Sequence, residues 1–524
     1  MKNFELLASI LSDNSNMRSF LILSVLFCLD SAMIAQDSIR WQAVQELDRR
    51  GRSVELIGHV NGQYYALITS GRERILEIHR ENALEKRSKT LEMPEIQGEN
   101  LRFKEILLHH TGFWLLTEGN LEKNNAKVFY ATPLDFDGNP TGLPVELDRI
   151  EVGNRSKKAL FGTSLSPNKQ LLLVFRDSPY QNKSNDQLQF KVFGPDLNRV
   201  WEKQLKLPYE EEIFELADYS IDNRGKVYVL SGLGADELTG QAMELQTREA
   251  RSILLTYDPA INKVKEFDVS LKDKWVMSMG LDFAENGDAI IAGFYSRDQF
   301  FSIRGTFYFR MGTKENKIIA GGLNPFPIKF LEQFMSSRRA QRASELDKFR
   351  LNQLWVQEDG SCYLFAEQRF VKERIAMDIG SGRQRITNDY IFNDALVLKL
   401  DSTGRSEWNI RIPKEQVSVD DGGPYSSFAA GLVNDTVYVL FNDHPDNLEL
   451  MTTNPDRNLK TFRSFGEGVI AVVSISSNGS LERKNLSASR IKEAIFKPRV
   501  FLFQEDRMWL YAVYRRTYSF GFWP

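Results

Sequence analysis

The chain has 524 residues, of which 42% are hydrophobic, and its 67 Lys and Arg against 70 Asp and Glu give a net charge of −3 at pH 7. This balance excludes a basic nucleic-acid-binding platform and an acidic disordered tail, because neither a strong field nor a self-repelling chain is present. A chain of this length folds as two to four ordinary domains or as one repeat architecture.

Residues 17–36 read MRSFLILSVLFCLDSAMIAQ, which is typical of a secretory signal peptide. Arg18 precedes an apolar run, and small residues lead to Ala35, after which we expect cleavage. The run of ten apolar residues is too short to span a bilayer, which needs about 20. We therefore expect an exported protein without a membrane span, located in the periplasm, in the cell envelope or outside the cell.

The residues before this segment and the cysteine within it refine the interpretation as a signal peptide. Glu5 and Asp13 are acidic where a signal sequence is basic, so residues 1–16 are interpreted as a mis-assigned gene start. Phe27 precedes Cys28 where a lipoprotein signal has a small residue, so no lipid anchor is expected. After cleavage only Cys362 remains, which excludes an internal disulfide.

A tight turn followed at once by an aromatic and aliphatic run recurs along the mature chain. Asn, Asp and Gly supply the positive φ of the turn, and the run that follows has strand composition. The eight occurrences are 59–69, 109–118, 166–175, 222–232, 285–294, 358–367, 433–442 and 504–514. Their turn markers are Gly62, Gly112, Asn168, Gly225, Gly287, Gly360, Asp435 and Asp506.

A second hairpin lies between successive occurrences of the first. Its seven instances are 75–94, 130–147, 190–208, 254–271, 307–321, 396–413 and 472–487. Two hairpins give four antiparallel strands per unit, which is the content of one β-propeller blade. The sequence therefore predicts an all-β protein, with a single propeller domain over 37–524 and short helical insertions.

The last unit contains three strands within 499–523, and the segment 38–47 resembles the fourth strands of other units. An N-terminal strand that completes the last blade would remove two sheet edges. We therefore predict eight four-stranded blades closed by the N-terminal strand. A ring of seven blades, with one unit as a cap, is the alternative.

Insertions that depart from the repeat are the candidate functional segments. Segments 232–252 and 328–353 are expected to be helical. In the second, Phe330, Leu331, Phe334 and Met335 form an apolar face beside several arginines. We expect this helix to pack over one blade with its cations solvated, and docking of a partner or an anionic surface is the alternative.

Polar loops at 371–394, 418–428 and 441–449 are the third departure. If the last two lie on the same side of the ring, their oxygen-rich side chains form a candidate recognition face. The candidate binding residues are Asp420, Asp421, Tyr425, Asn442, Asp443, His444 and Asp446. Of these, Asp420, Asp421, Asp443 and His444 are candidate ligands for Ca²⁺ or another divalent ion. Ordinary turns are the alternative, and no other cofactor is expected.

Signatures of known catalytic sites are absent from the sequence. It has no Gly-x-Ser-x-Gly elbow, no His-Glu-x-x-His and no Cys/His zinc spacing. Cys362 lies in a predicted strand, where a buried inert thiol is expected. Carboxylate pairs for glycoside cleavage leave no local signature and stay open.

The segments DNRGKVYVL, ENGDAIIAGFYS, DDGGPYSSF and FNDHPDN resemble a group of uncharacterised, exported, propeller-like proteins of the Bacteroidota. The resemblance covers most of residues 155–515. It implies an envelope or secreted setting and transfers no catalytic residue.

These observations favour an exported, monomeric binding or protein-interaction module for a protein, peptide or glycan, with no nucleic-acid partner. The alternative is a propeller hydrolase or lyase that acts on a glycan or peptide through acidic loop residues. The sequence favours the binding module because few His and Cys residues are available for catalysis.

Overall fold

The computed structural model describes residues 38–46, 53–80, 86–121, 125–151, 160–177, 185–210, 214–233, 251–297, 302–342, 345–377, 384–447, 459–463, 468–488, 490–491 and 494–524. These residues form mostly antiparallel strands, so the predicted all-β class is confirmed. The chain divides into a larger compact unit, Gly51–Gly423 with Glu449–Ser464, and a smaller one, Met1–Arg50, Pro424–Leu448 and Phe465–Pro524. The predicted signal peptide and start lie outside the described residues, and the single propeller domain over 37–524 stays a prediction.

Six sheets with at least four strands lie in the described part of the larger unit. The first contains Ser53–Val60, Gln63–Ser70, Glu73–His79 and Arg87–Thr90. The second contains Arg102–His109, Gly112–Leu121, Ala126–Leu134 and Val145–Glu151. The third contains Leu160–Leu165, Leu172–Asp177, Asn185–Phe193 and Arg199–Glu210. The fourth contains Phe214–Ile221, Val227–Leu233, Arg251–Asp258 and Lys263–Asp268. The fifth contains Trp275–Phe283, Ala289–Ser296, Gly305–Gly312 and Lys317–Pro325.

The sixth sheet is larger because its central hairpin is long. It contains Phe349–Val356, Cys362–Met377, Gln384–Leu400, Ser406–Ile412, Gln416–Val419 and Phe462–Arg463. Two strand pairs lie outside the six sheets, Glu95–Ile96 with Glu99–Asn100 and Ser302–Ile303 with Leu346–Asp347.

The smaller unit contains the seventh and eighth sheets. The seventh consists of Ala429–Val433, Thr436–Asp443, Val469–Ile475 and Leu481–Ala488, and a 3₁₀ turn covers Pro445–Asn447. The eighth consists of Arg490–Ile491, Ala494–Gln504, Arg507–Tyr514 and Thr517–Trp523, with the N-terminal strands Arg40–Trp41 and Gln45–Glu46.

Turn chemistry fixes the hairpins that the sequence predicts. Seven of the eight turn markers have positive φ; in the third sheet Lys169, at φ +56°, takes that conformation instead of Asn168. The reason is local: the Asn168 side-chain oxygen accepts hydrogen bonds from the Ser166 hydroxyl and the Gln170 amide, which is an Asx-type turn.

Hydrophobic clusters join consecutive sheets of the larger unit, each filled by residues from two neighbouring sheets. Aromatic pairs bridge the first four of these interfaces at centroid separations of 4.8–5.1 Å: Tyr65–Phe113, Phe129–Phe161, Phe175–Tyr219 and Tyr228–Phe283. Such pairs contribute about 0.5–1.5 kcal/mol each beyond their buried area. The abundance of aromatic residues is thus explained by packing between sheets.

The first strands of consecutive sheets are also linked by polar contacts. The Thr163 hydroxyl of the third sheet donates to Glu105 of the second at 2.7 Å. The Leu281 amide of the fifth sheet donates to Asp218 of the fourth. Sheets one to six therefore follow one another in space in the order of the chain.

The N-terminal segment pairs with the last strand, as the sequence predicts. Arg40 and Trp41 lie opposite Phe522 and Gly521, and the Ser519 hydroxyl donates to the Gln42 carbonyl at 2.9 Å. This pairing adds an outer N-terminal strand to the eighth sheet beside strand Thr517–Trp523.

The prediction of one helix over 328–353 is wrong in its extent. Two short helices are present, Ile328–Leu331 and Ser337–Gln341, and strand Phe349–Val356 begins within the predicted span. Residues 332–336 lie between the helices, and Ser336, in extended backbone, is the N-cap of the second helix. The predicted packing is confirmed: Phe330 and Leu331 belong to the core of the fifth and sixth sheets, and Arg339 is exposed. Most of the other predicted helical insertion, 232–252, lies outside the described residues.

Candidate binding pocket

Asp420 and Asp421 form a turn at the end of strand Gln416–Val419. Asp420 has φ +55°, and its carboxylate accepts a hydrogen bond from the Asn388 amide at 2.7 Å. Asp421 accepts from the Gly423 amide at 2.9 Å. Both side chains are exposed, and both belong to the larger unit. Their oxygens therefore have a structural role in the turn.

Tyr425 and Asn442 are core residues of the smaller unit. Tyr425 is buried, and Asn442 is completely inaccessible. The Asn442 side-chain amide donates to the carbonyls of Tyr425 and Phe496, at 2.8 Å each. This amide ties the segment before the seventh sheet to the eighth sheet.

Asp443 forms a buried ion pair with Arg483, which lies on the outer strand Leu481–Ala488 of the same sheet. The other carboxylate oxygen of Asp443 accepts hydrogen bonds from the His444 amide and the Asn447 side chain, both at 2.8 Å. Burial lowers the pKa of Arg483 to about 10, which leaves the guanidinium charged at neutral pH. The ion pair and hydrogen bonds thus hold the turn after strand Thr436–Asp443.

His444 and Asp446 complete the same turn. The Asp446 amide donates to Nδ1 of His444 at 3.2 Å, and the Asp446 side chain is exposed. Asn442, Asp443, His444 and Asp446 are thus neighbours along one chain segment, whereas Asp420 and Asp421 belong to the other unit. Within the described ranges, no three His, Cys, Asp or Glu side chains lie close enough to hold a metal ion.

The predicted inert thiol is confirmed: Cys362 is completely buried, and burial raises the pKa of its thiol well above the ordinary range. Two histidines are likewise structural. His79 is buried against Glu77 at 3.1 Å, and His109 stacks on Trp114 with ring centroids 4.2 Å apart. None of the helices in the described part of the chain combines the length and hydropathy needed to cross a bilayer.

The larger unit contains a cavity of about 260 Å³ beside the sixth sheet. Its walls come from the second short helix and the residues before it, from strand Leu346–Asp347 and from the sixth sheet and its connections. The lining residues are Phe334, Met335, Arg339, Glu345, Leu346, Asp347, Phe349, Gln368, Asn393, Asp394, Arg411, Lys414, Glu415 and Leu459. We refer to this cavity as the sixth-sheet pocket.

Lys414 forms one wall of the sixth-sheet pocket and is fully buried. Its ammonium lies 2.6 Å from the Glu367 carboxylate, which is equally buried. It also donates to the Phe392 carbonyl at 3.2 Å and to the Gln416 side chain at 3.1 Å. Burial lowers the pKa of Lys414, and the charge of Glu367 opposes that shift. The three ammonium donors therefore all have acceptors within the protein.

Arg411 and Asp394 form the second buried pair of the pocket. Two guanidinium nitrogens of Arg411 lie 2.9 and 2.8 Å from one carboxylate oxygen of Asp394. Arg411 also donates to the Gln333 carbonyl and lies over the Phe334 ring, 4.6 Å from its centroid. These contacts fix the guanidinium between the helical segment and the sixth sheet.

Local sequence patterns identify Phe334 and Met335 of this pocket as part of an apolar face, but they do not identify its charged residues. A signal for the carboxylate that pairs with Lys414 exists: Glu367 follows CYLFA, a run whose residues are buried on both faces of the strand, where a carboxylate needs a charged partner. The sequence does not identify that partner, because Lys414 lies one hairpin later.

Acidic side chains also lie on the first strand of several sheets in the larger unit. Burial raises the pKa of Glu55, and the charge of Glu105 adds to the shift. Burial likewise raises the pKa of Asp218 and of Asp282, and Asp218 adds to the shift at Asp282. Carboxylates of neighbouring sheets thus interact along this line of strands.

Comparisons with known proteins yield structural likenesses alone. No protein-family model and no curated protein sequence matches the chain. The WD40 domain of SCAP from fission yeast is similar with a TM-score of 0.37 and 10% identity, over 92% of this chain and 98% of that chain. A PL25 ulvan lyase has a TM-score of 0.37 and 9% identity, over 86% and 95%. A member of the DUF4221 family from Bacteroides vulgatus has a TM-score of 0.28 and 11% identity, over 86% and 99%. These values identify neither a family nor a function.

Proposed function

We propose that the protein is an exported β-propeller of eight blades that acts as a binding module. The eight sheets, the packing of consecutive sheets within each unit and the pairing of Arg40–Trp41 with Thr517–Trp523 support this architecture. Propellers bind ligands in pockets on a rigid scaffold. Their loops and insertions determine which ligand is bound.

One observation carries the binding function. The sixth-sheet pocket is a concave site whose charged walls are fixed by partners within the protein, as in Lys414–Glu367 and Arg411–Asp394. A pre-organised site loses little conformational entropy on binding, which is the property of a recognition surface. Asp443, a candidate acid, base or metal ligand in the alternative enzyme function, is held by Arg483 and Asn447 in the fold of the smaller unit.

Array binding tests this proposal. The labelled chain 36–524 is applied to peptide and glycan arrays beside the Leu459→Trp variant, which fills the sixth-sheet pocket. Leu143→Trp is the matched control, because Leu143 is 85% exposed, lies before strand Val145–Glu151 and does not line the pocket. We expect selective binding by wild type and by the control, and its loss in Leu459→Trp. Folded wild-type protein that binds nothing on either array contradicts the proposal.

Export is tested separately. The full chain is expressed in a Gram-negative host, and the N-terminus of the protein in the periplasmic and extracellular fractions is sequenced. The proposal predicts a mature chain that begins at Gln36. Intact protein confined to the cytoplasm contradicts it.

A further inference from the structure

The sixth-sheet pocket has an uneven charge balance. Lys414 and Arg411 are neutralised within the protein by Glu367 and Asp394, so neither is available to a ligand without breaking a buried pair. Removing a partner from such a pair is costly, because the remaining charge is left buried. An anionic ligand therefore finds no accessible cation in the interior of the pocket.

Three carboxylates lining the same pocket have no cationic partner among the described residues. Glu345 accepts hydrogen bonds from neutral donors, including the Arg297 amide at 2.7 Å. Glu415 accepts from the Thr461 hydroxyl at 2.6 Å, and Asp347 is exposed. The lining has one cation outside the buried pairs, Arg339, and it is exposed. Outside the buried pairs, the lining therefore carries three carboxylates and one guanidinium, which gives a net negative charge.

The side-chain amide of Asn393 points to the same kind of ligand. Its nitrogen donates to Gln368 at 3.1 Å, and its buried oxygen has no hydrogen-bond donor in the described part of the chain. Like the three carboxylates, the Asn393 oxygen is a hydrogen-bond acceptor. This wall of the pocket therefore has acceptors and lacks donors. A ligand that brings N–H groups suits such a lining.

The remaining walls of the pocket are apolar. They are formed by Phe334, Met335, Leu346, Phe349 and Leu459. Long basic side chains bury their methylene stems against apolar surface while the charged end finds acceptors. Aromatic rings also attract cations at their faces. Together, separated carboxylates and an apolar wall suit an extended organic cation.

We propose that the sixth-sheet pocket binds the guanidinium or ammonium group of an Arg or Lys side chain on a partner polypeptide. This inference rests on the proposed binding function and specifies the chemistry of its ligand. Asp347 and Glu415 supply the charge that recognises the cation, and the aromatic and aliphatic residues contact the stem. Arg339 at the rim disfavours highly basic segments, so isolated basic residues are preferred.

Fluorescence anisotropy tests the proposal with labelled Ala-Ala-Arg-Ala-Ala and Ala-Ala-Lys-Ala-Ala. Peptides of the same length with citrulline or acetyl-lysine keep the shape and remove the charge. We expect saturable binding of the charged peptides that weakens with salt and a Kd at least about tenfold higher for the neutral ones. Asp347→Asn and Glu415→Gln should each raise the Kd for the charged peptides. Asp196→Asn is the matched control, because Asp196 is an exposed carboxylate of the same unit outside the pocket.

The outcomes separate this inference from the function on which it rests. Equal binding of arginine and citrulline peptides overturns cation recognition, and so does an unchanged Kd in Asp347→Asn and Glu415→Gln. Binding of spermidine without binding of either peptide overturns a polypeptide partner. Array binding that Leu459→Trp abolishes, combined with no affinity for basic peptides, leaves the binding function and rejects the ligand class. Wild type that fails both assays rejects both.

Discussion

The Lys414 ammonium lies 2.6 Å from a carboxylate oxygen of Glu367, and neither side chain has exposed surface. Two charges this deep in a protein are stable only together, because each would otherwise lose its hydration without compensation. The pair joins the long central hairpin of the sixth sheet to the segment that follows strand Ser406–Ile412.

Removal of both partners of this pair should cost less than the sum of the two single removals. We expect Lys414→Met and Glu367→Gln each to lower the free energy of unfolding by about 3–5 kcal/mol. The double variant should lose less than the sum of the two, with a coupling energy of about 0.5–3 kcal/mol. Urea unfolding followed by tryptophan fluorescence measures all three values. Strictly additive losses would show that the two charges do not stabilise each other.

The Asp443–Arg483 pair leads to a prediction for the smaller unit. Arg483→Met leaves the Asp443 carboxylate buried without its counter-charge, so we expect a loss of about 3–5 kcal/mol. The adjacent Lys484 offers a control, because its side chain is 52% exposed and pairs with the exposed Glu482. Lys484→Met should change stability by less than about 0.5 kcal/mol. Comparable losses in both variants, measured by thermal unfolding, contradict a special role for the buried pair.

The limits of sequence reasoning are clear at Asp443. The pattern FNDHPDN places oxygen-rich side chains in a turn, and the turn is present. Its interpretation as a ligand set depends on free carboxylates, yet the Asp443 charge is matched by Arg483, 40 positions along the chain. Turns such as those at Gly225 and Gly287 depend on φ values that a few adjacent residues determine, so the sequence predicts them. Partners such as Glu367 and Lys414 meet only through the sheet register, which local patterns do not contain.

The carboxyl groups of Asp218 and Asp282 should make the stability of the protein depend on pH. Burial raises the pKa of both carboxyls in the folded state. Hydrogen bonds from backbone amides act in the opposite direction, but their effect is smaller. The folded state therefore binds these protons more tightly than the unfolded state, in which the ordinary value is 3.8. The ionised carboxylates cost stability at neutral pH. That cost disappears as the pH falls from the folded-state pKa to below 3.8.

Neutral amides at these positions should remove the cost. We expect Asp218→Asn and Asp282→Asn to raise the melting temperature at pH 7 and to have no effect near pH 3. Asp359 is the control of opposite sign, because hydrogen bonds from Ser361 outweigh desolvation and lower the pKa of this exposed carboxyl. Asp359→Asn should therefore lower the melting temperature at pH 7. A fall in melting temperature for Asp218→Asn at pH 7 would contradict the argument.

The N-terminal strand can pair with the end of the chain because Gly521 has no side chain. A Cβ atom at Gly521 would lie 2.7 Å from the Trp41 ring and 2.8 Å from a methyl carbon of Ile39. Gly521→Val should therefore displace strand Arg40–Trp41 and lower the free energy of unfolding by about 1–3 kcal/mol. Hydrogen exchange should show faster exchange of the Gln42 amide, which donates to the Phe520 carbonyl at 2.8 Å. Gly232→Val is the matched control, because a Cβ there meets no atom of the described residues within 4 Å. If the Gln42 amide stays equally protected in both variants, the contact of Trp41 with Gly521 does not hold the N-terminal strand in place.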